Sequence, residues 1–316
     1  MTPSQPPAPH VTILMAVYNG APYLPEQLAS IAGQTHRDWH LLISDDRSTD
    51  ASGALLAQAA RDLPNLTYLT GPGQGGVANF MSLIRTAPDH APKDSWLAFS
   101  DQDDVWLPEK LERGIAALQA HDPDRPALWC SRTWVTDDSL DERVLSAARP
   151  RPLGFRNALV QNVASGNTIL LNAAGARLVT QAACETTLPV VHDWWIYQLL
   201  SGAGGVLVHD DAPSLLYRQH GVNQIGANLG HRARIRRIGM LLGGQYRDWN
   251  DTNLAALRCS AHRLTAENRT LVEDFAALRT LRGALRRVRR LRALNLYRQS
   301  TISTLALWLA AVLRRL

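Results

Sequence analysis

Trp96-Leu97-Ala98-Phe99-Ser100-Asp101-Gln102-Asp103-Asp104 is the stretch that decides how this chain is read. Four apolar residues end abruptly in a serine and then three carboxylates within four positions. An apolar run without polar alternation reads as a strand buried on both faces, the kind found in parallel sheets. The same arrangement occurs twice upstream. Trp39-His40-Leu41-Leu42-Ile43 runs into Ser44-Asp45-Asp46-Arg47-Ser48-Thr49-Asp50, and Val11–Val17 runs into Tyr18-Asn19-Gly20. Between the first two strands Leu24, Leu28 and Ile31 recur at helical spacing, with Pro25 near the start, where a missing N–H costs little. A second helical segment covers 51–63 and a short strand 66–69. The Gly-rich loop Gly71-Pro72-Gly73-Gln74-Gly75-Gly76 then leads to a helix through Asn79, Phe80 and Leu83. Strands alternating with helices imply βαβ units and an α/β layer architecture. In such sheets ligands bind outside the carboxyl ends of the strands, where both acidic clusters fall.

Farther along, a helix over 109–119 precedes a strand over 127–134, and a polar stretch follows from Thr136 to Pro152. Residues 155–163 fit neither pattern cleanly. Ser165-Gly166-Asn167-Thr168 is a turn into a strand ending at Leu171, followed by a helix to about Cys184. Val190–Leu200 reads as a helix with Asp193 at its opening. Residues 205–208 and 214–217 read as two short strands, and Arg218-Gln219-His220-Gly221-Val222-Asn223 follows them. From His231 the pattern is helical and Arg-rich. The expected division is an arm over 1–10, a catalytic domain over 11–230 and a basic helical region over 231–316.

Composition narrows the class. Hydrophobic content of 46% and charged content of 19% suit a folded protein. The Pro-rich opening lacks the basic and apolar regions of a signal peptide and reads as a loose arm. Three scattered cysteines without a CxxC exclude a disulfide framework or zinc knot and point to a reducing cytoplasm. Charge is divided: residues 1–230 hold 15 Lys+Arg against 23 Asp+Glu, whereas residues 231–316 hold 18 Arg against 5. An acidic body with a basic tail suggests that the tail faces something anionic.

Asp101, Asp103 and Asp104 repel one another unless a hard divalent cation, which takes oxygen ligands, relieves them. That cation could also bridge diphosphate oxygens. A solvated acidic turn or a helix cap accounts for the same residues. In the Asp45–Asp50 cluster, Ser48 or Asp50 could cap the next helix, or a carboxylate could accept a hydrogen bond from the N3–H of a pyrimidine.

Taken together, Val17-Tyr18-Asn19-Gly20, Ser44–Asp50 and Ser100-Asp101-Gln102-Asp103-Asp104-Val105-Trp106-Leu107-Pro108-Glu109-Lys110 resemble, in order and spacing, the family 2 glycosyltransferases; the likeness covers about residues 11–225. It implies the GT-A fold, a Rossmann-like mixed sheet flanked by helices, here with a basic helical C-terminal extension. It implies inverting, metal-dependent transfer of a sugar from a nucleotide-diphosphate donor, with Mg²⁺ or Mn²⁺ as cofactor. Tyr18 is then expected near the base or ribose, Asp46 on the pyrimidine N3, Asp101 near the ribose and Asp103 on the metal. Asn79 falls where the family often places a donor contact. Asp193 resembles the general base, which takes the acceptor hydroxyl's proton during attack; a helix cap is the plainer alternative. His220 is a candidate metal ligand or diphosphate contact, with Arg218 beside it, and His192 a neighbour of Asp193. Trp106, Trp194 and Trp195 could stack on sugar faces or fill the core, with core expected for two of the three.

His192-Asp193-Trp194-Trp195 and Tyr217-Arg218-Gln219-His220-Gly221-Val222-Asn223 resemble the rhamnosyltransferase-like branch. That implies a deoxythymidine-diphosphate rhamnose donor and a cell-surface polysaccharide or lipid-linked glycan acceptor. Gln245-Tyr246-Arg247-Asp248-Trp249 has the wrong spacing for the element of the processive synthases, so single addition is expected. Leu281, Leu285, Val288, Leu291 and Leu294 recur at helical spacing among arginines, a pattern suited to an anionic membrane on its inner face. The apolar run over 304–313 is about half the length that spans a bilayer and is expected to insert shallowly, with Arg314 and Arg315 at the head groups. Packing against the body or another subunit is the alternative. The tail lacks a recognisable nucleic-acid module, so no nucleic acid is expected. A nucleotidyltransferase would want a basic, Gly-rich loop after the first strand, where this chain has Tyr18-Asn19-Gly20-Ala21-Pro22. A non-catalytic sugar-nucleotide-binding protein on the same fold is the remaining rival.

Overall fold

The computed structural model describes residues 8–219 and 243–316. Its centre is a mixed sheet. In chain order the strands are β1 (Val11–Val17), β2 (Trp39–Asp45), β3 (Leu66–Thr70), β4 (Trp96–Ser100), β5 (Val105–Trp106), β6 (Ala127–Thr136), β7 (Arg143–Leu145), β8 (Leu170–Leu171) and β9 (Val206–Arg218). They are arranged β3-β2-β1-β4-β8-β6-β9-β5, with β7 on β6. β3, β2, β1 and β4 are parallel neighbours, whereas β8 is antiparallel to both β4 and β6.

The apolar runs are buried on both faces, as their lack of alternation requires. Successive side chains of β1 and β2 enter opposite cores: Ile13, Met15, Leu41 and Ile43 on one side, Leu14 and Leu42 on the other. Helices α1 (Leu24–Ala32), α2 (Ser52–Asp62) and α4 (Lys110–Gln119) cover the first side, contributing Leu24, Leu56 and Ile115. Helices α3 (Gly76–His90), α6 (Ala173–Ala183) and α7 (His192–Gly202) cover the second, with the one-turn helix α5 (Phe155–Ala158).

Three segments differ from the sequence reading. The two short strands expected over 205–208 and 214–217 are one strand, β9. Its pairing with β6 shifts register around Arg132, which accommodates the polar stretch ending at Pro213. The polar stretch after Thr136 folds back as β7 to form a hairpin with β6. The basic tail is helical as expected, but its amphipathic repeat from Leu281 to Leu294 is interrupted at Gly283.

That tail forms α8 (Gln245–Cys259), α9 (Ala266–Thr280), α10 (Ala284–Ala293) and α11 (Thr301–Val312). Gly283, at φ 90°, breaks the helix between α9 and α10. Leu291 and Leu294, expected on an outer apolar face, are buried in the same core as α7. Arg287 is buried with them. Its guanidinium donates to the carbonyls of Ala311 (2.6 Å), Val312 (2.8 Å) and Leu281 (2.8 Å). Two of these carbonyls lie at the C-terminal end of α11 and the third just after α9, where helical carbonyls outnumber backbone donors. Among the described residues no helix is long and apolar enough to cross a membrane.

Candidate active site

The parallel register sets Val17 beside Asp45 and Met15 beside Ser100. The three motifs therefore emerge side by side at one edge of the sheet.

The Tyr18-Asn19-Gly20 turn is clamped from both neighbours. Gln102 Oε1 accepts from the Tyr18 N–H (2.8 Å) and Gln102 Nε2 donates to the Tyr18 carbonyl (3.1 Å). On the other side Asn19 Oδ1 accepts from the Thr49 N–H (2.8 Å), while the Asn19 and Gly20 N–H groups donate to Ser48 Oγ and Ser52 Oγ (2.8 Å each). A Cβ at Gly20 would lie 2.6 Å from Gln102 Oε1 and would push that amide off the Tyr18 backbone. With its backbone held this way, Tyr18 leaves its side chain 56% exposed. An anchored, exposed ring is a preformed stacking surface.

The Asp45–Asp50 cluster divides its work. Asp45 Oδ1 accepts from the Ser48 N–H (3.0 Å) and hydroxyl (2.5 Å), closing the turn. Asp50 accepts from Ser52 and Ala21. Asp46 holds the Gly-rich loop, its two oxygens accepting from the Gly73 (2.6 Å) and Gly75 (2.7 Å) N–H groups. Both glycines have positive φ, so the loop folds back over this carboxylate. Asn79 lies beneath the site. It is 1% exposed, its Nδ2 donating to the Ser44 carbonyl (2.8 Å) and its Oδ1 accepting from Ser44 Oγ (2.6 Å). There it braces α3 against β2 and has no exposed surface to offer a donor.

At the acidic loop Asp101 and Asp103 are partly exposed and Asp104 is fully buried. Asp104 Oδ2 accepts from Asn167 Nδ2 (2.6 Å), while Oδ1 is buried without a partner. Lys110, also buried, donates to the Asn167 carbonyl (2.5 Å) and lies 3.2 Å from the Trp106 ring centroid. Burial, then Asp103 and Asp193, push Asp101 up to about 7, against the opposing pull of Lys110. Burial, then Asp101 and Asp103, raise Asp104 well above the usual range. Burial holds Lys110 well below its ordinary value. Arg218 is buried at this loop. Its Nε donates to the Asp103 carbonyl (3.1 Å), and the rest of its guanidinium engages Glu26 and the Asp138 carbonyl.

Asp193 is the second residue of α7. Its Oδ2 accepts from the Gly166 N–H (3.0 Å) and its Oδ1 from the Trp194 N–H (2.6 Å). Burial nevertheless dominates and pushes the carboxyl up to about 6. Its charge adds to the upward push on Asp101. His192 stacks on Phe80, ring centroids 3.8 Å apart, and burial lowers it to about 3. It is a neutral wedge behind Asp193. All three tryptophans are core residues, one more than expected, which leaves none of them exposed for sugar stacking. His220 lies outside the described residues.

Sequence reasoning missed the residues that join these parts. Gln102 ties the acidic loop to the Tyr18 turn. Asn167 ties Asp104 and Lys110 to the Gly166 turn that holds Asp193. Their only signal was a polar residue inside a turn, which looks the same whether it faces solvent or a buried partner.

Among the described residues no group of three His, Cys, Asp or Glu side chains converges on one point. The site still suits a hard cation. Two partly exposed carboxylates stand beside a third that is buried, and their mutual repulsion is opposed by Lys110 at Asp101 and by the Asn167 hydrogen bond, then Lys110, at Asp104. Mg²⁺ is commonly held by one or two carboxylates, with water and substrate phosphate completing the shell.

Similarity to known proteins follows the same lines. The chain is 27% identical over 253 residues to the dTDP-rhamnosyl transferase RfbG of Shigella flexneri, covering 74% of this chain and 81% of that protein. Several other relatives match over only 34–41% of their length. Among solved structures, S. aureus TarS 1-349 in complex with UDP-GlcNAc superposes with a TM-score of 0.53 at 14% identity, covering 90% of each chain. The mannosyltransferase PcManGT of Pyrobaculum calidifontis, in complex with GDP-Man and Mn2+, gives 0.50 at 17% identity, covering 99% of this chain and 89% of that one. These identities speak for the fold, a GT-A-like one. The sequence model of Glycosyl transferase family 2 matches residues 12–175, more than half of the chain and the part that carries all three strand-end motifs. The chain belongs to glycosyl transferase family 2.

Proposed function

We propose that this glycosyltransferase inverts configuration, adding a single sugar, rhamnose from a deoxythymidine-diphosphate donor, to a cell-surface polysaccharide or lipid-linked glycan. The observation that carries the mechanism is Asp193, a partly exposed carboxyl at the opening of α7, held by the Gly166 and Trp194 N–H groups and raised by burial to about 6. A carboxylate tuned near neutrality suits a general base. In the reaction Asp193 takes the acceptor hydroxyl's proton as that oxygen bonds to the anomeric carbon. The bond from that carbon to the diphosphate breaks, and its electron pair leaves with the nucleotide. The Tyr18 ring supports the base, and Asp46 is the pyrimidine partner once the Gly73 and Gly75 N–H groups share or release it. Asp103 is the residue to hold a divalent cation, which when bound supplies positive charge to the departing diphosphate. Arg218 contributes by fixing the main chain of Asp103.

The likeness to a dTDP-rhamnosyl transferase supports the choice of sugar. A lipid-linked acceptor suggests work at the inner face of the cell membrane. The test is nucleotide release from a panel of nucleotide-diphosphate sugars, with Mg²⁺ or Mn²⁺ and with EDTA. One preferred donor, turned over only with metal and not by Asp193→Ala, supports the proposal. Preference for a uridine-diphosphate hexose would overturn the rhamnose reading. Nucleotide binding without turnover, even with lipid-linked acceptors, would favour a binding protein.

A further inference from the structure

Six large apolar side chains between residues 285 and 313 are exposed, from 40% at Val312 to 76% at Leu285. Five of them, Ile302, Leu305, Leu309, Val312 and Leu313, belong to α11 and its C-cap. At 100° per residue they fall within one stripe about 100° wide. The opposite side of α11 carries Leu307, Ala310 and Ala311, all buried in the core. The helix is thus apolar on both sides, and among the described residues only one side is covered.

The next helix supplies charge beside that stripe. With Arg287, Leu291 and Leu294 turned inward, α10 exposes Leu285, Arg286, Arg289, Arg290, Arg292 and Ala293, and of these arginines Arg290 pairs with Asp274. Arg292 lies over the Trp308 ring of α11, 5.6 Å from its centroid, so the two outer faces adjoin. Arg282, Arg286, Arg289, Arg292 and Arg314 have no carboxylate partner among the described residues. An apolar ridge lined by cations without anionic partners matches the chemistry of an anionic bilayer, with acyl chains for the ridge and head groups for the arginines.

We infer that the outer faces of α10 and α11 form one docking surface for an anionic phospholipid membrane, with the α11 stripe entering the head-group and acyl boundary. This deepens the proposal of a lipid-linked acceptor at the membrane, but its test does not depend on transfer. The 12-residue α11 is about 18 Å long, too short to span a hydrocarbon layer about 30 Å thick, so it lies in the interface. Leu291 and Leu294, expected on the outer face, serve the protein core, whereas the apolar segment expected to insert shallowly lies in α11 and supplies the ridge.

The experiment is flotation of the full chain with vesicles of phosphatidylglycerol and phosphatidylcholine, compared with phosphatidylcholine alone. Binding is expected only with the anionic lipid and should weaken at high salt. Leu305→Ser with Leu309→Ser should lower partition by at least about ten-fold. Arg286→Gln and Arg289→Gln should each lower it about five-fold. Thermal melting and nucleotide release from the preferred donor should stay at the parent level, since these side chains touch neither core nor site. Equal binding to neutral vesicles would overturn the inference. So would absence of vesicle binding with a dimer that the leucine substitutions dissociate, because the face would then join two copies. Failure of transfer with intact vesicle binding would count against the acceptor reading alone.

Discussion

Asp193→Asn separates a catalytic base from a helix cap, because the two roles predict opposite changes in stability. Burial raises the carboxyl from 3.8 to about 6, so ionising it in the folded state costs more than in the unfolded chain. The sign follows directly. Well below pH 4 the group is protonated in both states and adds no penalty, near pH 4 only a small part of it applies, and above pH 6 nearly all of it does. About two units correspond to at most about 3 kcal/mol at pH 7. Asparagine removes this penalty but cannot accept from both the Gly166 and Trp194 N–H groups, a loss of about 1 kcal/mol. The D193N variant should therefore be more stable than the parent by about 1–2 kcal/mol at pH 7 and less stable by about 1 kcal/mol at pH 4. In melting temperature that is a rise of roughly 2–6 °C at pH 7 and a smaller fall at pH 4. Its kcat for nucleotide release should drop about 10²- to 10⁴-fold. In the parent, activity should climb as pH rises through about 6 and then level off. Melting at the two pH values beside initial rates is the assay. A variant that loses stability at both and keeps more than about a tenth of its activity would refute the base and leave a cap.

Other substitutions test the supporting contacts. Asn167→Ala removes the donor to Asp104 and should cost about 1–3 kcal/mol by chemical denaturation, with kcat falling more than KM changes, because the Gly166 turn behind Asp193 loses its anchor. Tyr18→Ala should leave the melting temperature within about a degree, since the ring is exposed, yet weaken nucleotide binding by about 1–3 kcal/mol in calorimetry. Arg287→Ala should cost about 3 kcal/mol or more, because three carbonyls at buried helix ends lose their donor. Arg286→Ala, one residue away and exposed, should leave stability unchanged within about 0.5 kcal/mol.

The parallel half of the sheet was legible because β1, β2 and β4 are short apolar runs that end in polar clusters, and that pattern is local. Placement of the three motifs at one edge followed from it, since parallel strands carry their ends to the same side. Local pattern misled where a polar stretch is tolerated inside a strand, as at Asp210–Pro213 in β9, whose bulge depends on pairing with β6. It misled again in the tail, where period and charge placed Leu291 on an outer face.

By itself the sequence determined the α/β class, the three strand-end motifs and the acidic residue at the opening of α7, because each is a property of neighbours along the chain. The tertiary structure decided what those residues do to one another. Asp46 holds a glycine loop and Asn79 braces the sheet from below. Asn167 joins Asp104 to the turn that carries Asp193, 26 positions away in sequence from Asn167 itself. Of the tail's apolar surfaces, one is spent on the core and one is left outside. Hydrogen bonds and burial depend on distance in space, and a residue's spacing along a helix tells which side it takes but not what that side meets.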